Sequence, residues 1–174
     1  MEAVPMWQPD PADIIYLARA GSLSLGSAES LTGGAVSAAV TAVPGASDVW
    51  GGAIVAYGAE VKRDLLGVPQ SVLDQVGAVS ADTALAMAHG ARSRLGVDFA
   101  VSTTGVAGPL PHAGQEVGVV FIGVVGPGLA RATEFAFKGG RAEVVASAVN
   151  AALGELFSAL GGHEPVVSGN GEQP

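Results

Sequence analysis

Ser27-Ala28-Glu29-Ser30-Leu31-Thr32-Gly33-Gly34 packs hydroxyls, a carboxylate and paired glycines into one short stretch. It lies between Leu23-Ser24-Leu25, which reads as a strand, and Ala35 to Val43, which reads as a helix. A turn of this composition presents backbone N–H groups, and the helix dipole favours an anion or a developing oxyanion beside them. Ser30 is the candidate nucleophile. Thr32 brings a second hydroxyl and Glu29 a carboxylate. The same residues also make an ordinary helix cap and turn, so this stretch alone leaves a reactive and a structural role open.

A serine hydroxyl needs a base to become a nucleophile. No Gly-x-Ser-x-Gly elbow is present to suggest a hydrolase triad. Of the histidines, His163 falls in the tail, His89 falls on a helix, and only His112 lies in a loop that can reach a site. The other source of a base is lysine. Lys62 and Lys138 are the only two in the chain. Lys62 follows the apolar run Gly52 to Tyr57, and a lysine desolvated in a pocket sheds its proton more readily. Tyr57 ends that run and could relay or orient the proton. Two readings of Lys62 stand side by side: the base of a Ser30–Tyr57–Lys62 set, or a solvated helix residue pairing with Glu60 or Asp64. Tyr57 likewise fits either a catalytic role or that of a strand-end aromatic with its hydroxyl in water.

The 174 residues suit one domain with a short tail, and 49% hydrophobic against 14% charged residues suits a packed core. A formal net charge of −8 argues against a nucleic-acid surface. The absence of cysteine excludes disulfides, thiolate catalysis and zinc–sulfur sites, and it fits a cytoplasmic setting. Met1 to Pro11 has no basic segment ahead of an apolar core, and no apolar run reaches membrane-spanning length. No membrane partner is expected.

The elements that must position these residues follow in order. Asp10-Pro11 opens a helix that Gly21 stops. Ser22 to Ser27 reads as a strand, followed by the glycine turn and a helix to Val43. Gly52 to Tyr57 reads as a strand covered on both faces, because its apolar run is continuous. Ala59 to Leu66 and Gln70 to Val76 read as short helices. Ser80 caps a longer one reaching Leu95-Gly96. Phe99 to Thr103 reads as a strand leading into a second glycine turn, Thr104-Gly105-Val106-Ala107-Gly108-Pro109. Val117 to Val125 and the alternating Arg131 to Phe137 form a hairpin across Gly126-Pro127-Gly128, and Arg141 to Leu160 is the last helix. From Gly161 the chain reads as disordered. The pattern predicts an α/β fold, and in such sheets ligands gather beyond the carboxyl ends of parallel strands. The segments after Ser27, Tyr57 and Thr103 can therefore share one rim.

Several of these stretches occur in an order that resembles the C-terminal domain family of the competence-damage protein CinA. They are Ala28-Glu29-Ser30-Leu31-Thr32-Gly33-Gly34, Val43-Pro44-Gly45-Ala46-Ser47, Gly51 to Tyr57, Leu65-Leu66-Gly67-Val68-Pro69, Gly77-Ala78-Val79-Ser80 and Thr103 to Pro109. The resemblance covers roughly Ala12 to Leu160. It implies a three-layer α/β/α sandwich with a mixed, mainly parallel sheet. It also implies nicotinamide-nucleotide amidase activity, the hydrolysis of nicotinamide mononucleotide to nicotinate mononucleotide and ammonia. The family's nucleophile falls on Ser30, and its tyrosine and lysine fall on Tyr57 and Lys62. No cofactor or metal is implied.

The chain departs from the family at three places. Gly58-Ala59 replaces a Ser-Asn pair after the tyrosine. Leu110 to Val117 is shorter than the family's glycine-rich loop and carries Glu116, a carboxylate that would repel a phosphate placed near it. Lys138-Gly139-Gly140-Arg141 stands where a Gly-Asp-Arg is usual, with Arg141 kept. The resulting expectation is a cytoplasmic serine amidohydrolase spanning residues 11–160, between an extension at 1–10 and a tail at 161–174. Its catalytic residues are Ser30, Tyr57 and Lys62. Glu29, Thr32, Gly33, Gly34, Thr104, Gly105 and Arg141 are expected to bind the nucleotide, with the N–H groups from Thr32 to Gly34 holding the oxyanion or phosphate. A homo-oligomer, dimer or higher, is expected. A drifted member acting as a nucleotide-binding or oligomerising module is the rival.

Overall fold

The computed structural model describes residues 8–112 and 114–163. The expectations for most of the N-terminal extension and for the tail beyond His163 lie outside the described residues. The elements are α1 (Pro11–Ala20), β1 (Leu25–Glu29), α2 (Ala35–Thr41), a 3-10 turn (Ala46–Asp48), β2 (Trp50–Val55), α3 (Ala59–Leu66), α4 (Gln70–Val76), α5 (Ala81–Leu95), β3 (Phe99–Gly105), β4 (Val119–Gly126), β5 (Leu129–Ala136) and α6 (Arg141–Ala159).

The strands form one sheet in the order β2-β1-β3-β4-β5. β1 pairs in parallel with β2 and β3, whereas β4 is antiparallel to both β3 and β5. β4 alone therefore runs against the other strands, giving a mixed sheet in an α/β fold. The side-chain period of two divides its faces. Leu25, Phe99, Val101, Val120, Ile122, Val124 and Phe135 join the core made with α1, α2 and α6. Ala28, Ala100 and Phe121 point the other way, toward α5 and the short helices behind it. Three layers result.

Local signals set the helix ends. Asp10 caps α1 by accepting from Ala12 N at 2.8 Å, with Pro11 in the first turn. Ser80 caps α5 by accepting from Thr83 N. Gly90 on α5 sits against α3: a Cβ there would lie 2.0 Å from the Leu66 carbonyl oxygen. Glycine thus allows the helix that carries Lys62 to seat closely on α5.

Three strand expectations are corrected. β1 starts at Leu25 and runs on past Ser27 through Ala28 and Glu29, the last two of which the sequence placed in the turn. Their polar groups tolerate this buried position because they hydrogen-bond one another and the start of α2. β3 likewise continues through Thr104 and Gly105 by pairing with Phe121 and Val120 of β4. β2 is an edge strand with one neighbour; Val55 is 45% exposed, and only Trp50 is buried along its length. A continuous apolar run here means a strand at the border of the sheet, not one enclosed by it.

Candidate active site

Glu29 pairs with Val55 on one side and Thr103 on the other, so β1 and β2 end together, and β3 runs two residues further. Ser30 is the first residue beyond β1. Lys62 lies on the second strand's helix, α3, and is only 2% exposed. Its Nζ is 2.8 Å from Ser30 Oγ, 2.9 Å from the Ala56 carbonyl oxygen and 3.2 Å from the Tyr57 carbonyl oxygen. Burial pushes the amine down from its ordinary 10.5 to about 8. An amine carrying only two hydrogens can donate both to these carbonyls, which leaves its lone pair for the Ser30 hydroxyl. Lys62 does not take up the alternative pairing with Asp64, whose carboxylate is held by Arg63.

Ser30 and Lys62 open into a cavity of about 610 Å³. Leu31, Val79, Val106 and Ala107 give it apolar surface. Thr104, Gly105 and Arg141 also line it, as does His112. The Thr104 hydroxyl is engaged by the Ala78 carbonyl at 2.7 Å. Arg141, at the start of α6, donates to the Gly108 carbonyl and to the Tyr57 hydroxyl, the latter at 2.7 Å. Among the described residues lining the cavity there is no Asp or Glu. In a chain of net charge −8, the cavity thus gathers Lys62 and Arg141 with no carboxylate beside them. Such a lining favours an anionic ligand. Glu116 does not line it, so the expected repulsion of a phosphate by that carboxylate has no basis in the geometry.

Two sets of the expected site residues make contacts of their own. The Tyr57 phenol is 62% exposed in its residue and reaches Arg141, while it is the Tyr57 backbone carbonyl that meets Lys62. Tyr57 thus forms part of the wall of the cavity, its phenol beside Arg141. Glu29, Thr32, Gly33 and Gly34 do not line the cavity at all. Glu29 is fully buried and accepts from Ser27 Oγ, Thr32 Oγ, Gly34 N, Val36 N and Ser37 N at 2.8 to 3.1 Å. Gly33 N is bonded to the Ser30 carbonyl. The start of α2 already holds an anion, its own Glu29, and the N–H groups of Gly33 and Gly34 are both engaged within the chain.

His89 is exposed on α5, and His163 lies beyond α6; neither lines the cavity. Gly58 and Ala59 do line it, where bulkier polar side chains were expected from the resemblance. Sequence reasoning missed Thr103, which is fully buried and touches both Ser30 N and Thr32 Oγ. The adjacent Thr103-Thr104 pair at a strand end was the available signal.

A model of the CinA C-terminal domain family matches residues 11–160. A CinA-like protein of Frankia casuarinae is 42% identical over 153 residues, covering 86% of this chain and 35% of the relative. A CinA-like protein of Synechococcus sp. (strain RCC307) is 47% identical over 115 residues, covering 66% of this chain and 28% of the relative. The chain thus spans about a third of the length of these relatives. Among solved structures, the competence damage-inducible protein A of Klebsiella pneumoniae superposes with a TM-score of 0.84 at 30% identity, covering 88% of this chain and 96% of that one. The competence/damage inducible protein CihA of Agrobacterium tumefaciens gives a TM-score of 0.77 at 37% identity, covering 92% and 99%.

Proposed function

Since this chain belongs to the CinA C-terminal domain family, we propose that it is a serine amidohydrolase acting on the carboxamide of a nicotinamide nucleotide. The observation that carries this reading is the 2.8 Å contact between Lys62 Nζ and Ser30 Oγ, with both other contacts of the amine on backbone carbonyls. Neutral Lys62 takes the Ser30 proton as Oγ attacks the amide carbon. A C–O bond forms, and the carbonyl π pair moves to oxygen. When the tetrahedral adduct collapses, the C–N bond breaks and the nitrogen leaves as ammonia with the proton from Lys62. Water then adds to the acyl-serine, again giving a proton to Lys62. Collapse releases the nicotinate product and returns that proton to Ser30.

With the N–H groups of Gly33 and Gly34 engaged, we assign the oxyanion to Leu31 N–H, which lines the same cavity and has no hydrogen-bond partner among the described residues. A donor directly after the nucleophile is the usual source of such stabilisation at a strand-to-helix turn. Arg141, with Tyr57 beside it, suits the phosphate as a fixed guanidinium fork. The apolar surface from Leu31, Val79 and Val106 suits the pyridine ring.

Ammonia release from nicotinamide mononucleotide tests the reading, with wild type compared against Ser30→Ala and Lys62→Ala. Release by wild type that is abolished in both variants is the expected result. Absence of release by a folded wild type that still binds the nucleotide would refute the amidase and support a nucleotide-binding module.

A further inference from the structure

Glu29, Thr32 and Thr103 are buried polar groups that take no part in the proton transfer proposed above. Hydrogen counting fixes how they are linked. Thr32 Oγ donates to Glu29 Oε2 at 2.8 Å, and a threonine hydroxyl has one hydrogen. The 2.8 Å contact between Thr32 Oγ and Thr103 Oγ must then be filled by the Thr103 hydrogen. That leaves Thr103 Oγ as an acceptor on its remaining side, where it faces Ser30 N at 3.3 Å. The same N–H also reaches the Thr103 carbonyl at 3.0 Å, a three-centre bond to one residue. Every hydrogen in the series points from Ser30 toward the Glu29 carboxylate. That carboxylate in turn is held by Ser27 Oγ and by the N–H groups of Gly34, Val36 and Ser37.

We infer that this one-directional chain, Ser30 N–H to Thr103 to Thr32 to Glu29, makes Thr103 a positioning residue for the nucleophile, fixing the Ser30 backbone so that Oγ faces Lys62. The inference rests on the reading of Ser30 as nucleophile. The chain runs from the turn to Thr103 of β3, back to the turn at Thr32 and on to Glu29 of β1, so it ties the turn to two fixed elements. It also commits Ser30 N–H, leaving the N–H after it for the oxyanion. Thr103→Val keeps the shape of the side chain and removes both its donor and its acceptor. Thr103→Ser keeps the link. Ser102→Ala removes a neighbouring buried hydroxyl of the same strand, one that donates to the Ala84 carbonyl at 2.6 Å and has no contact with the chain.

The test measures two rates on the intact chain: phosphonylation of serine by a fluorophosphonate probe, in which Ser30 Oγ displaces fluoride, and ammonia release from nicotinamide mononucleotide. Thr103→Val is expected to slow labelling and lower kcat by roughly tenfold while KM stays within about twofold, because the nucleophile is misplaced and the cavity is not. Thr103→Ser is expected to remain within about twofold of wild type. Ser102→Ala is expected to lower Tm and label at the wild-type rate, which separates positioning from general loss of a buried hydrogen bond. A folded Thr103→Val that labels as fast as wild type overturns the inference, as does a Thr103→Ser slowed equally. If Thr103→Val does not fold, Thr32→Val decides in the same way, since it breaks the next link. Failure of the underlying reading looks different: Ser30→Ala labelled as fast as wild type, or a wild type that neither labels nor releases ammonia, removes Ser30 as nucleophile and the role of the chain with it.

Discussion

Raising the pH from 7 to 9 tests the Lys62 assignment directly. The amine titrates at about 8, so it is neutral in about a tenth of molecules at pH 7 and in about nine-tenths at pH 9. If proton transfer from Ser30 to Lys62 limits the reaction, kcat rises about tenfold over that interval and then levels. The same depression acts on stability with a fixed sign. The folded amine titrates near 8 and the unfolded one near 10.5. Between these values the unfolded chain binds more protons, so stability increases with pH by up to ~3 kcal/mol across the window. Below pH 8 the penalty for burying the charge is constant. The assays are steady-state ammonia release at saturating nucleotide and urea unfolding at each pH, with Lys62→Met as the reference lacking the group. A wild type with pH-independent kcat between 6 and 9.5, or a Lys62→Met variant that keeps activity, refutes the mechanism. A wild type whose stability relative to Lys62→Met does not change between pH 8 and 10.5 refutes the depressed amine.

Arg141→Ala removes the guanidinium from the cavity and should raise KM for nicotinamide mononucleotide by roughly tenfold or more with kcat within about threefold; steady-state kinetics would contradict the phosphate assignment if kcat fell and KM held. Gly90→Ala places a methyl group 2.0 Å from the Leu66 carbonyl. It should destabilise the fold by ~2 kcal/mol or more and lower kcat, because α3 must shift and carries Lys62 with it; chemical denaturation and turnover on the same sample check this. Asp98 accepts from Ser24 N and Ser24 Oγ at 2.8 and 2.7 Å, and these bonds hold its carboxyl below the usual range. Its contribution is present above the unfolded carboxyl pKa and is lost as pH falls through the folded one. Asp98→Asn should therefore be less stable near neutrality and lose less on acidification, as followed by thermal melts from pH 7 to 3.

Much of the frame is legible in the sequence because local chemistry decides it. Asp10-Pro11 and Ser80 act through their own caps, and the ends of α3 and α4 fall at glycines and a proline that interrupt the helical pattern. Lys62 stands out because lysine is scarce and follows a strand. The rest depends on contacts between distant residues. Ala28 and Glu29 look like turn residues by their place in the sequence, yet they complete a central strand because the Glu29 carboxylate finds partners there, Ser27 Oγ among them. Glu29 looks available to a ligand until the N–H groups of Gly34, Val36 and Ser37 are seen to enclose it. Tyr57 is beside Lys62 in sequence, but the chain direction turns its ring toward Arg141, some 80 residues away. The edge position of β2 follows from sheet order, which an apolar run cannot encode.

The starts of α2 and α3 are held in contrasting ways. At α2, amides that would ordinarily be solvated in a first turn are bonded to a carboxylate with no exposure to water. At α3, the first turn has no side-chain cap, and Gly58 and Ala59 border the cavity. Amide hydrogens at Val36 and Ser37 should exchange with solvent only through large openings of the domain, whereas those at Ala59 and Glu60 should exchange through local fraying.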